Sequence, residues 1–413
     1  MNGICFHSAV APAIILAMRT LLTAERLWNG AGLLNHPVVV VEDGRIASIE
    51  SRESRELPTE TQARILDFPG ATLAPAFLDV HIHGAAGHDV MEATPEALKT
   101  IGGFLAAHGT GSFLATTVTA PLDATLRSLS GLAKILAGTP CDGVANPVGI
   151  HLEGPFISHI RKGAHPPDYL LEPDLALFDK MFEAAEGHVR LMTLAPELPG
   201  AIELAAHATA RGVRVSLGHS DATAAETRAG IAAGAVSATH TFNAMRPLDH
   251  REPGILGVVL TTDSLFAELI CDGIHNAPEM VKLWWRAKGP ERAILVTDAM
   301  SATGMPDGMY QLGRMTVKVE NGRALAGGDI PGVLAGSLLT LDRALTNFLE
   351  FTGATLEQAL RLMTANPAAM SGLTALAGSV AVGQPANLVA VDASGKLMAS
   401  ILNGRVVDHP NPN

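Results

Sequence analysis

Aromatic side chains are scarce in this 413-residue chain, at 4% of the sequence. Proteins that grip single-stranded nucleic acid stack bases on aromatic platforms, and this composition offers few. An excess of positive charge is missing as well: 29 Lys and Arg face 41 Asp and Glu, a formal charge of -12. That balance opposes a broad polyanion-binding surface, so no nucleic-acid partner is expected, and a small anionic substrate would need its own local cationic pocket. Cysteine is limited to Cys5, Cys141 and Cys271, scattered without a paired motif. Neither a disulfide framework nor a cysteine zinc site is indicated, and a reducing cytoplasm is the simplest setting. Long apolar runs are lacking too. The N-terminal "MNGICFHSAVAPAIILAMRT" is too short to span a bilayer and has no basic leading region, so no membrane partner is expected. Because "MRTLLTAERLWNG" from Met18 reads as a normal start, residues 1–17 are expected to be a disordered or spurious extension, with a non-standard signal peptide as the alternative.

What the chain has in quantity is Gly, Ala and aliphatic residues, with 47% hydrophobic content, enough for a large core. From Thr20 to about Leu73 the texture is short β-prone runs, with Asp43-Gly44 as a hairpin signal in "PVVVVEDGRIASIE". The same texture returns in "NLVAVDASGKLMASILNGRVV". The two ends are expected to pair into one small β-sandwich domain, residues 18–73 and 373–413, around a central unit of residues 74–372. In the centre, strand-like runs alternate with helical stretches: "TLAPAFLDVHIH", "GSFLATTV", "PVGIHLEG", "VRLMTLAPE", "VRVSLGHSD", "VSATHTFNA", "FAELICDGIH" and "RAILVTDAM". Eight such β-then-α units predict an α/β protein with a TIM-like (β/α)8 barrel. A doubly wound open sheet is the alternative, but no Gly-rich dinucleotide loop follows the first strand.

Active sites of such barrels lie at the C-terminal ends of the strands. The polar residues that close these runs are His81 and His83, Glu153, His219, His240, His275 and Asp298. Residues i and i+2 of a strand share a face, so His81 and His83 aim at one spot. Imidazoles and carboxylates suit zinc and related divalent ions. Taken singly, each residue has an ordinary structural explanation, such as a packed core histidine or, for Asp298, a helix N-cap. Seven of them at the mouth of one barrel favour the metal reading.

With "HIHG" (81–84), "GIHLEGPFI" (149–157), "KGAH" (162–165), "LGHSDA" (217–222), "THTFNAM" (239–245), "REPGILG" (251–257), "CDGIH" (271–275), "LVTDAM" (295–300) and "LAGSLLTLD" (334–342) in order, the chain resembles the amidohydrolase superfamily. Within it, the chain is most similar to the deacetylases of acetamido sugar phosphates; "HLEGPF" and "KGAH" carry that narrower likeness. The resemblance implies a metal-dependent hydrolase barrel that converts N-acetyl-D-glucosamine 6-phosphate to D-glucosamine 6-phosphate and acetate, in amino-sugar catabolism. It assigns Glu153, His219 and His240 to the principal metal, Zn2+ before Fe2+, Mn2+ or Co2+. His81 and His83 are the arm that varies within the family and would admit a second ion, with Glu153 as the bridge. Asp298 is implied as general base and then acid while metal-activated water attacks the acetamide. Ala164, His165, Asn243, Ala244, Arg251, Asp272 to His275, and Leu334, Ala335 and Gly336 are implied at the substrate. Arg251 would reach the neighbouring active site of a homodimer, whereas a lone surface arginine would otherwise pair with Glu252. His151 is expected to be a structural histidine. Two other readings stand beside this one: an N-acetylgalactosamine-6-phosphate deacetylase, and a catalytically silent amidohydrolase-fold assembly protein.

Overall fold

The structure is a computed structural model that describes residues 19–54, 63–327 and 332–407. The expected extension at residues 1–17 lies outside the described residues.

The eight central runs each form a strand: β1 Phe77–Ile82, β2 Thr110–Thr117, β3 Asn146–Glu153, β4 Val189–Leu194, β5 Arg214–Leu217, β6 Ala235–Ala238, β7 Phe266–Ile270 and β8 Ala293–Val296. They pair in parallel and in chain order. The ring closes just beyond β8. Ile82 bridges Ala299, His83 N–H donates to Ala299 O at 2.8 Å, and Asp298 N–H donates to His81 O at 2.9 Å. Barrel closure therefore sets Asp298 against the two histidines of β1.

A helix follows every strand: α1 Pro95–Ala107, α2 Leu122–Leu136, α3 Leu175–Ala184, α4 Ala201–Ala210, α5 Ala224–Ala232, α6 Gly254–Thr261, α7 Pro278–Arg292 and α8 Leu341–Thr352. Local sequence starts several of them. Thr94 accepts the Ala97 N–H ahead of Pro95 at the first helical position, and Thr223 with Glu226 forms a capping box on α5. On α8, Leu341, Ala344, Leu345 and Phe348 recur at helical spacing and are buried. Strands covered on both faces explain the unbroken apolar runs, as in β8, where all four residues are buried.

Inside the barrel, below the strand ends, a group of polar side chains is mutually bonded. His151 Nε2 meets Thr193 Oγ1 at 2.8 Å, Thr193 meets Thr239 at 2.8 Å, and Thr239 donates to Ser216 at 2.7 Å. This satisfied network gives the strand ends a rigid floor. His151 belongs to it.

The two ends of the chain share one sheet, in which Thr20–Trp28 lies parallel to Arg64–Pro75 and the latter lies antiparallel to Leu388–Val391. This sheet folds over an apolar layer that includes Leu22, Val39, Leu73, Leu388 and Ile401. The strand Arg64–Pro75 runs beyond residue 73, and the chain passes from this sheet to the barrel at Ala76. Asp43 and Gly44 both have positive φ between Pro37–Glu42 and Arg45–Ser51, forming the hairpin turn signalled by their sequence. One element had no counterpart in the sequence reading. After β8, Gly308–Leu312, Met315–Glu320 and Arg323–Ala326 form a three-stranded antiparallel sheet, whose Leu312 and Met315 overhang the barrel mouth.

Candidate metal centre and pocket

Glu153 ends β3, and His219 and His240 stand two residues beyond the ends of β5 and β6. Their ligand atoms converge. Glu153 Oε1 is 3.2 Å from His219 Nε2 and 3.1 Å from His240 Nε2, and the two imidazole nitrogens are 3.1 Å apart. Tetrahedral zinc ligands at about 2.0–2.1 Å stand about 3.3 Å from each other, close to this spacing. The circle through the three atoms has a radius of about 1.8 Å, so a point about 2.0–2.1 Å from all of them exists to one side of their plane.

The local backbone is bent to achieve this. His219, His240 and Asp298 have φ of 47°, 26° and 51°, in the left-handed region that costs a non-glycine residue about 1–2 kcal/mol. Gly218 permits the turn into His219, since a Cβ there would lie 2.6 Å from Thr239 Cβ. Outer partners orient the rings. His219 donates Nδ1–H to Arg161 O at 2.9 Å, and His83 donates Nδ1–H to Thr116 O at 3.0 Å, which turns both Nε2 atoms inward.

A second set lies beside the first. His83 Nε2 is 3.1 Å from both Glu153 Oε2 and Asp298 Oδ1, and His81 Nε2 is 3.3 Å from Glu153 Oε1 and 3.5 Å from Asp298 Oδ1. Glu153 thus presents oxygens to both sets. All of these residues are buried. Asp298 caps no helix, because a loop follows it.

Electrostatics reflects the crowding. Burial lowers the pKa of His83, but Asp298 and Glu153 outweigh it and hold the imidazole at about 9. Burial raises that of Glu153, yet His81 and the bonds from His165, His219 and His240 keep it well below the ordinary range. Burial likewise works against ionisation of Asp298, and His81 and His83 prevail. His165, which loses more to burial than it gains from Glu153, is lowered to about 4. The centre thus holds ionised carboxylates among imidazoles and attracts cations.

Above it opens a cavity of about 310 Å³. Ala164, His165, Asn243, Ala244, His275, Leu334 and Gly336 line it together with His83, Glu153, His219, His240 and Asp298. His165 also sits against the metal centre, with Nε2 3.5 Å from Glu153 Oε2 and Nδ1 2.8 Å from Thr119 Oγ1. Five of the residues implied at the substrate, Arg251, Asp272, Gly273, Ile274 and Ala335, do not line the wall. Asp272 stands behind His275, holding its Nδ1 at 2.7 Å; Ala335 is packed in a small core with Met300 and Leu312; and Arg251 is exposed outside the cavity. Arg251 does not pair with Glu252, which instead accepts the Ala224 and Gly254 N–H groups. No Lys or Arg is among the described residues lining the cavity.

Two buried acids went unnoticed in the sequence. Glu268, in the middle of β7, has Oε2 3.4 Å from His81 Nδ1, and Asp79, in β1, accepts Thr297 Oγ1–H at 2.6 Å. The only signal available was an acid inside an otherwise apolar strand run, "FAELI" or "FLDVHI".

Residues 72–409 match the amidohydrolase family, and the chain belongs to that family. It is 39% identical, over 91% of its length and 96% of the relative's, to an N-acetylgalactosamine-6-phosphate deacetylase of Escherichia coli O157:H7. It is 38% identical, over 92% and 95%, to an N-acetylglucosamine-6-phosphate deacetylase of Lysinibacillus sphaericus. Among solved structures, a mutant N-acetyl-D-glucosamine-6-phosphate deacetylase of Mycobacterium smegmatis in complex with N-acetyl-D-glucosamine-6-phosphate superposes with a TM-score of 0.86 at 36% identity, covering 94% of this chain and 99% of that one. The family is metal-dependent, and the two His, Glu and Asp clusters described above provide the donors.

Proposed function

We propose that this chain is a metal-dependent hydrolase that deacetylates N-acetyl-D-glucosamine 6-phosphate, yielding D-glucosamine 6-phosphate and acetate, and serves amino-sugar catabolism. The observation that carries the reading is the convergence of Glu153, His219 and His240 on the floor of a cavity that also exposes Asp298. The donor set of one carboxylate and two imidazoles suits Zn2+ first, with Fe2+, Mn2+ and Co2+ as alternatives. When bound, the ion supplies Lewis acidity, polarising the acetamide carbonyl and making water more acidic.

The protein groups perform the rest. Asp298, ionised and reaching into the cavity, takes a proton from the attacking water and returns it to the departing amine. His83 holds Asp298 Oδ1 in place from the opposite side at 3.1 Å. Leu312 and Met315 cover the cavity and limit water. His275, braced by Asp272, and the Asn243 amide provide polar contacts for the sugar phosphate.

The phosphate dianion still lacks a guanidinium from within this chain's own cavity. We therefore place Arg251 of a second copy over it, in a homodimer; the exposed position of the Arg251 side chain, outside this chain's own cavity, supports that arrangement. A reducing cytoplasm is the proposed setting, in line with the unpaired Cys141 and Cys271. No helix among the described residues is long and apolar enough to cross a membrane.

The galactosamine epimer is the second reading, favoured by the 39% identity to the Escherichia coli enzyme. Acetate release from both epimeric acetamido sugar 6-phosphates and their non-phosphorylated forms tests the proposal. Preferential turnover of the glucosamine phosphate supports it, and preferential turnover of the galactosamine phosphate selects the second reading. No turnover of any of the four rejects both and leaves the silent assembly protein.

A further inference from the structure

Glu268 is fully buried and takes no part in the reaction outlined above. Its Oε2 faces His81 Nδ1 at 3.4 Å and accepts the His240 main-chain N–H at 3.4 Å; its Oε1 has no hydrogen-bond partner among the described residues. Burying a carboxyl group is costly unless its oxygens are hydrogen-bonded, so such a residue calls for a function. The contact is a long-range one, because β1 and β7 are not neighbours and the two side chains meet inside the barrel across β8.

His81 is singled out among the metal-centre imidazoles. Neutral main-chain carbonyls hold Nδ1 of His83 and His219, and Nδ1 of His240 has no partner among the described residues. Only His81 has a carboxylate behind it. A carboxylate both selects the imidazole tautomer and makes the opposite nitrogen a stronger donor than a carbonyl can. His151, edge-on to His81 at 4.7 Å, cannot substitute, since its nitrogens engage Thr116 and Thr193.

We propose that Glu268 is a positioning residue for a second cation: by accepting Nδ1–H of His81, it directs the Nε2 lone pair into the space shared with Glu153 Oε1 and Asp298 Oδ1, 3.3 and 3.5 Å away. The pairing makes His81 a committed ligand and the chain a two-ion protein. This inference rests on the metal reading of the site.

The test is a calorimetric titration of metal-free wild type, Glu268→Gln, His81→Ala and the double variant with Zn2+, with Co2+ absorption spectra recorded for each equivalent added. Wild type is expected to take up two equivalents. Glu268→Gln weakens the second by on the order of 10–100-fold and leaves the first unchanged, and it has no added effect when His81 is already absent. If Glu268→Gln does not fold, judged by its melting transition, Glu268→Asp, which withdraws the carboxylate from the ring, is expected to give the same selective loss. Two equivalents of wild-type affinity in the Glu268 variant overturn the inference alone, as does a loss of equal size with and without His81. A single wild-type equivalent unaffected by Glu268→Gln also overturns it. A wild type that binds no divalent ion overturns the metal reading with it.

Discussion

Asp298 Oδ1 and His83 Nε2 face each other at 3.1 Å, with Glu153 Oε2 at 3.1 Å from the same nitrogen. The imidazole thus links the group proposed to move protons with the carboxylate proposed to hold metal. The arrangement separates two properties that mutation can examine independently.

Replacing Asp298 by Asn leaves Glu153, His219 and His240 in place. The tight metal equivalent is expected to remain while acetate release falls by about 10²–10⁴-fold, the range of general acid–base catalysis. Metal content and kcat measured on one preparation check this. Full activity in the variant removes Asp298 from its role.

Metal removal should destabilise the protein in a pH-dependent way. The His83 pKa is held at about 9, above the roughly 6.5 of an unfolded histidine. Its pairing with Asp298 and Glu153 therefore stabilises the metal-free fold fully below about pH 6.5, and that contribution is lost as pH rises through about 9. Ions compete with these protons, so the rise in melting temperature on adding Zn2+ is expected to grow from pH 6.5 toward 9. Thermal scans with and without chelator measure it.

Burial lowers the pKa of His275, but Asp272 more than compensates and raises it. Its protonated form persists below that raised pKa and is lost above it, so KM for the sugar phosphate should rise with pH. Asp272→Asn moves that rise to lower pH, while the non-phosphorylated sugar shows no such shift. KM profiles for both substrates decide it.

Arg251→Ala is expected to raise KM for the phosphorylated substrate by at least tenfold, the loss of a charge-assisted contact, with little effect on the non-phosphorylated sugar. Mixing inactive Asp298→Asn chains with Arg251→Ala chains should restore part of the activity, because one hybrid site then has both residues intact. No recovery on mixing, with subunit exchange verified, contradicts the shared site.

Much of this was legible in the chain itself. Each barrel strand was marked by a β-prone apolar run, and the residues proposed to hold metal were marked by standing where those runs end. "TLAPAFLDVHIH" hides a change of sheet, because Thr72–Pro75 and Phe77–Ile82 serve different sheets and both are buried, so composition does not change between them. Glu268 was illegible because its partner, His81, is 187 residues away, and only barrel closure brings the two together. The implied substrate set mixed two roles. Asp272 braces His275 from behind, and the distinction depends on side-chain direction, which spacing along a loop does not fix. The sheet over the mouth, Gly308–Ala326, alternates exposed and buried residues like any surface hairpin, and nothing in that pattern says what it covers.

The most direct measurement is an anomalous-difference map from a zinc-loaded crystal, recorded on both sides of the zinc absorption edge. A strong edge-dependent peak about 2.0–2.2 Å from Glu153, His219 and His240 is the expected result. Zinc bound elsewhere, with these three side chains unliganded, would contradict the metal centre and the hydrolytic function built on it.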